Sequence, residues 1–187
     1  MKKALVVFIA LGILVFALSS MVVAEEGDPQ YIGSAKCKVC HNAEKKGAQF
    51  SKWEAGPHSK TYEVLASEEA IAAAKALGID NPQTSDKCLK CHVTAFGVAA
   101  ELKAESFDQT EGVGCESCHG PGSEYKSLKV MKDQEAALAA GLIIPTEETC
   151  VGCHNEESPT YKEFKFDEFW AKIAHPVPEE AEAPKEE

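Results

Sequence analysis

Every cysteine in this chain belongs to one repeated pentapeptide. Cys37-Lys-Val-Cys40-His41, Cys88-Leu-Lys-Cys91-His92, Cys115-Glu-Ser-Cys118-His119 and Cys150-Val-Gly-Cys153-His154 account for all eight, with none left over. C-x-x-C-H is the attachment pattern of c-type haem. Its two thiols form thioethers along one edge of the porphyrin. The first cysteine and the histidine are four residues apart, so on one helical turn they share a face. The imidazole is thereby delivered to the iron as the proximal ligand. Two other readings use the same thiols: a pair of all-cysteine zinc sites or the disulfide framework of a small exported protein. Neither needs a histidine directly after every second cysteine, and all four pairs have one. The pattern points to four c-type haems, with His41, His92, His119 and His154 as proximal ligands.

That count constrains the fold. Four macrocycles in so short a chain make up much of the apolar core, and the polypeptide becomes a wrapping of short helices and loops. The expected class is mostly α with extensive irregular structure. The motifs share similar lead-ins ("SAKCKVCH", "SDKCLKCH", "TEETCVGCH") but irregular gaps, so the chain is not a solenoid. Ser67 to Leu77 is alanine-rich and reads as a helix stopped by Gly78. "MKDQEAALAAG" reads as a helix running from Met131 and stopped by Gly141. "FDEFWAKIAHP" reads as a short final helix with Phe166, Phe169, Trp170 and Ile173 on its apolar face. The stretch from Val93 to Gly114 has no clear periodicity and is expected to hold an extended segment.

The N-terminus carries Lys2 and Lys3, an uncharged run from Ala4 to Ala24, and small residues before Glu25. Residues 1–24 read as a secretory signal peptide; the alternative is an uncleaved anchor, since the run is long enough to span a bilayer. Residues 25–178 form the tetrahaem domain, and the Pro- and Glu-rich residues 179–187 read as an acidic disordered tail. The expected location is the periplasm, where covalent haem attachment takes place in bacteria. The net charge is −11, with nineteen lysines and no arginine. An acidic surface argues against nucleic acid and allows salt-sensitive docking to redox proteins. A membrane is a partner only if the N-terminal segment is retained.

Six histidines are present and four are proximal, which leaves His58 and His175 for the distal side. Four irons therefore cannot all take two histidines from one chain. Met131, the one methionine outside the N-terminal segment, is a candidate thioether ligand and would raise the potential of its haem. Its alternative role is core packing. Tyr125 and the lysines are further candidates. An iron with no protein sixth ligand would be five-coordinate and open to a small molecule.

Three stretches resemble the tetrahaem cytochrome c-554 family: "CESCHGPGS", the W-x-x-x-P-H of Trp53 to His58, and "CVGCHNEESPTYKEFKFDEFWAKIAHP". The similarity runs from about Tyr31 to Pro178. It implies a mostly helical fold with haems in closely stacked pairs, and electron transfer in the periplasm. The best-known member accepts electrons from hydroxylamine oxidoreductase, a partner that does not carry over. In the family three haems are bis-histidine and one is five-coordinate. A histidine that commonly follows "GPGS" serves there as a distal ligand, and here Glu124 and Tyr125 stand in its place. By the same analogy the first haem lacks its usual ligand, Met131 is its natural substitute, and the haem on His92 is the open one. The leading expectation is an electron carrier rather than an enzyme, needing no catalytic side chain. The alternatives are a nitrogen-oxide reductase or oxidase at a five-coordinate haem, and a subunit of a polymeric or membrane-anchored cytochrome assembly.

Overall fold

The computed structural model describes residues 27–178. The expected signal segment and acidic tail lie outside the described residues. Among the described residues ten short helices follow one another. They are α1 (Ala35–His41), α2 (Gln49–Ala55), α3 (Thr61–Val64), α4 (Glu68–Ala76) and α5 (Asp86–His92), then α6 (Cys115–His119), α7 (Leu128–Met131), α8 (Gln134–Ala139), α9 (Glu147–Val151) and α10 (Phe166–Ile173). Five single 3-10 turns sit between them. Among the described residues there is no strand, only an isolated parallel bridge of Tyr31 with Lys103. It lies in the stretch expected to be extended, and the rest of that stretch is loop and 3-10 turn. None of these helices is long and apolar enough to cross a membrane.

Local sequence sets the helix ends. Ser67 caps α4 by accepting from Ala70 N–H at 3.1 Å. Gly78, at φ +70°, closes it, with Ile79 N–H on the Ala74 carbonyl at 2.9 Å. The helix expected from Met131 to Gly141 is instead broken in two. Asp133 leaves helical geometry to cap α8, accepting from Ala136 N–H at 3.0 Å, so Met131 ends the preceding turn of helix. A capping aspartate competes with the helix interior, and the cap wins here. The stop at Gly141 (φ +95°) stands.

The apolar core is small. Ile32, Phe50, Leu65, Ala74, Val93, Tyr125 and Ala137 are its buried apolar side chains, while Val39, Leu128, Ile143 and Ile144 remain exposed. A domain of this size ordinarily removes roughly 70% of its unfolded surface from water. The protein part alone leaves much apolar surface uncovered, as a wrapping built around large cofactors does. Tethers partly replace packing. Glu116, 2% exposed, accepts from Ile32 N–H at 2.9 and 3.0 Å and from Gly33 and Gly122 N–H at 2.7 Å each. It thereby ties the N-terminal segment to α6. Trp53 Nε1–H does the same for α2, donating to the Val113 carbonyl at 2.9 Å.

Candidate haem-binding site

The first three motifs each end a helix on their histidine, at His41, His92 and His119. In the fourth, α9 stops at Val151, yet His154 N–H still bonds the Cys150 carbonyl at 2.9 Å, one helical turn back. All four motifs thus place both thiols and the imidazole on one turn. No two of the eight cysteines are joined as a disulfide.

The motifs neighbour one another in an order unlike that of the sequence. The Cys37 thiol is pushed far above its ordinary range, first by its hydrogen bond with Cys115, then by burial. The same bond lowers Cys115. Burial raises Cys118 to about 11, with Cys150 the next influence. Burial and the adjacent Cys91 raise Cys153 to about 12. Lys90 and Glu157 pair alongside that last contact. The thiols therefore link the motifs in the order first, third, fourth, second, and the chain just after the second also reaches the third, where Gly114 N–H and Ser117 Oγ–H donate to Thr94 Oγ1 at 2.7 and 2.9 Å.

Two pairs of histidines face each other. His58 lies against His154 with ring centres 6.0 Å apart, and His175 against His119 at 6.2 Å, both nearly perpendicular. The two candidate distal residues are thus each brought to a proximal histidine, His58 to the fourth motif and His175 to the third. His58 is held by its carbonyl, which accepts from Val113 N–H at 3.0 Å and Thr61 Oγ1–H at 2.9 Å. Gly112, at φ +81°, lets the chain pass there; a Cβ would lie 2.8 Å from the His58 carbonyl oxygen. His175 arrives because the C-terminal segment lies on the loop after α1, where Pro176 O approaches Gly47. His154 stacks on Phe164 at 4.9 Å, and Phe164 on Phe169 at 5.2 Å. Those aromatic rings are the apolar wall of the final segment.

Ring orientation is fixed from the other side. Nδ1–H of His92 donates to the Thr61 carbonyl at 2.7 Å, that of His119 to Ile143 at 3.0 Å, and that of His175 to Ile173 at 2.9 Å. Each bond leaves Nε2 as the free lone pair, the tautomer a metal ligand needs. Burial, the leading cause in each case, lowers His41, His58, His119 and His154 toward the neutral form. Backbone carbonyls leave no mark on a sequence, so these partners were not legible there.

The arrangement fits haem. A metal–imidazole bond of about 2 Å, with roughly 1.1 Å from ring nitrogen to ring centre, sets two trans imidazoles about 6 Å apart. Both observed pairs have that spacing. Among the described residues no three His, Cys, Asp or Glu side chains converge as a metal cage. The donors meet in twos, as a macrocycle with two axial positions requires and a tetrahedral zinc site does not.

The remaining candidates are placed as follows. His41 and His92 belong to neither ring pair. Met131 ends α7, half-buried. Tyr125, which with Glu124 follows the GPGS stretch, is buried, and its hydroxyl donates to the Gly120 carbonyl at 2.7 Å. Burial pushes that phenol upward, so it is a neutral hydrogen-bond donor at the end of α6.

A family model described as cytochrome c554 and c-prime matches residues 36–120, the span of the first three motifs. Cytochrome c-554 of Nitrosomonas europaea is 31% identical over 175 residues, covering 83% of this chain and 72% of that protein. No solved structure matches.

Proposed function

The chain belongs to the cytochrome c-554 family, a c-type cytochrome with covalently bound haem that works in electron transfer, and from that premise we propose that it is a periplasmic tetrahaem carrier passing electrons between four haems. The observation that carries this reading is the pairing of His58 with His154 and of His175 with His119 at axial-ligand spacing. Cys37 and Cys40, Cys88 and Cys91, Cys115 and Cys118, and Cys150 and Cys153 would hold the four groups. His41, His92, His119 and His154 would be proximal ligands, with His175 distal on the third haem and His58 distal on the fourth. The haems, when bound, supply reversible one-electron chemistry, handed from neighbour to neighbour. The chain's part is to set spacing through the order of the motifs, fix the imidazoles of His92, His119 and His175 through their Nδ1 bonds, and exclude water with Phe164 and Phe169.

The two inner motifs of that order, third and fourth, own the imidazole pairs. The outer two, first and second, do not. Bis-histidine ligation favours lower potentials than methionine ligation. Met131 is the candidate sixth ligand of the first haem, and the second haem is the one open to a small molecule. The chain at the first motif is also basic: residues 35–60 hold six lysines against two glutamates, while the whole chain stands at −11. Val39, 86% exposed, directly follows Lys38 on α1. That segment suits docking of an acidic redox protein. An exported location rests on the N-terminal segment.

The test is electron paramagnetic resonance on the oxidised holoprotein with its single-histidine variants. His175→Ala and His58→Ala are each expected to convert one low-spin haem to high spin, a different one in each case. Unchanged low-spin spectra in either variant would overturn that ligand assignment. A holoprotein mass carrying fewer than four haems would overturn the count.

A further inference from the structure

Two carboxylates sit where the first and third motifs meet, and electron transfer as described gives neither a task. Glu116 lies inside the third motif, and its four amide bonds account for it as a tether. Glu111 is different. It closes a 3-10 turn (Gln109–Glu111) and is half-buried, so water reaches it. Its oxygens accept from Ser34 N–H at 2.9 and 3.2 Å and from Ser34 Oγ–H at 2.9 Å. The same Ser34 Oγ accepts from Cys115 N–H at 2.9 Å, and the Ser34 carbonyl accepts from Cys37 N–H at 2.9 Å. One serine therefore joins Glu111 to the first cysteine of both motifs. A Cβ on Gly114 would collide with Glu111 Oε1, so the carboxylate presses on the backbone next to Cys115.

We propose that Glu111 is a redox-linked proton site, which takes up a proton from water when the first or third haem is reduced and returns it on oxidation. This rests on the haem placement proposed above. The balance is simple: the redox partner supplies one electron, water one proton, and both leave again on oxidation. No cation pairs with Glu111 among the described residues. The charged and titratable groups facing it are Glu116 on α6, Asp108 at the start of its own turn, and the sulfurs of Cys37 and Cys115, which do not titrate once they are thioethers. Tyr31 and Tyr125, beyond Glu116, are both held neutral by burial. An added electron thus meets two carboxylates, neither of them ion-paired among the described residues. Glu116 is sealed from water, so Glu111 is the group that can respond. Its affinity for protons already stands above the ordinary carboxylate value, chiefly through burial, with Glu116 and Asp108 adding to it. Ser34 Oγ both donates and accepts, so it suits either form of the acid.

The sign follows from linkage. Reduction raises proton affinity at Glu111, so the potential of the coupled haem falls as pH rises between its values in the oxidised and reduced protein. The limit is one proton per electron, tenfold per pH unit or about 59 mV.

The test is spectroelectrochemical titration of the holoprotein from about pH 5 to about pH 9, with infrared redox-difference spectra. The wild type is expected to show a pH-dependent couple and a protonated-carboxyl band that grows on reduction. Glu111→Gln is expected to lose both while keeping four haems and native spectra; Asp108→Asn is expected to keep both. A slope or band that survives Glu111→Gln, or a wild type with neither, overturns the proposal. If Glu111→Gln does not fold, the wild-type infrared band alone decides. Haem missing from the first or third motif peptide would instead sink the haem placement, a separate failure seen by mass.

Discussion

Replacing Glu116 tests whether tethers substitute for a core here. Its carboxylate is 2% exposed and satisfies three buried amides, those of Ile32, Gly33 and Gly122. Glu116→Ala removes every acceptor and leaves all three donors inside. An orphaned buried donor costs about 1–3 kcal/mol. With partial relaxation the three together come to about 4 kcal/mol, a large share of a stability of roughly 5–15 kcal/mol. At about 2–4 °C per kcal/mol for a chain of this size, the melting midpoint should fall by roughly 10 °C. Glu116→Gln is the discriminating partner. Oε1 serves Ile32 and Gly122, and Oε2 serves Ile32 and Gly33. Either orientation of an amide turns its NH2 toward an N–H donor, so glutamine should restore only part of the loss. The assay is thermal unfolding of the holoprotein by far-ultraviolet circular dichroism, with hydrogen exchange at the three amides. An alanine variant that melts within about 2 °C of wild type, with those amides still protected, would refute the reasoning.

Other perturbations bear on the same frame. Gly112→Ala forces a side chain onto φ +81° and against the His58 carbonyl and Thr61 Oγ1; the fourth haem should turn partly high-spin, read by electron paramagnetic resonance. Met131→Ala should lower the highest midpoint potential in a redox titration; no change would assign Met131 to packing. Reversing Lys36, Lys38, Lys45 and Lys46 to glutamate should slow electron exchange with an anionic reagent such as ferricyanide and invert the sign of its salt dependence, measured by stopped flow.

What was legible in the sequence was what covalent chemistry and capping impose. The C-x-x-C-H spacing places three side chains on one helical turn, and Gly78 and Gly141 end helices because both adopt positive φ. The final helix could be read from Phe166, Phe169, Trp170 and Ile173, and it spans Phe166–Ile173. The break at Asp133 was missed because its run of helix formers outweighed one capping residue by propensity, whereas the cap bond at 3.0 Å decides locally. The neighbours of Glu111 and Glu116 were hidden for another reason. A glutamate between two cysteines reads as solvent-facing, and its buried position depends on backbone amides more than eighty residues away in sequence.

The order in which the motifs meet shows why pairing could not be read along the chain. The first and second motifs are consecutive along the chain, yet α2 to α4 and the His58–Lys60 turn lie between them, and their thiols meet different partners, the first those of the third motif and the second those of the fourth. His58 sits in that intervening stretch, so it reaches the fourth motif instead of either flanking one. His175, from the far end of the chain, reaches the third. The third and fourth motifs thus each face an imidazole from a segment outside the motif helices. Each outer motif has used the neighbouring chain to build its own surface: lysines at the first, and the Lys90–Glu157 pair beside the second. On the proposed ligation, coordination and charge therefore vary together from motif to motif, and the lysine-rich first motif and the ion-paired second present different faces to a docking protein.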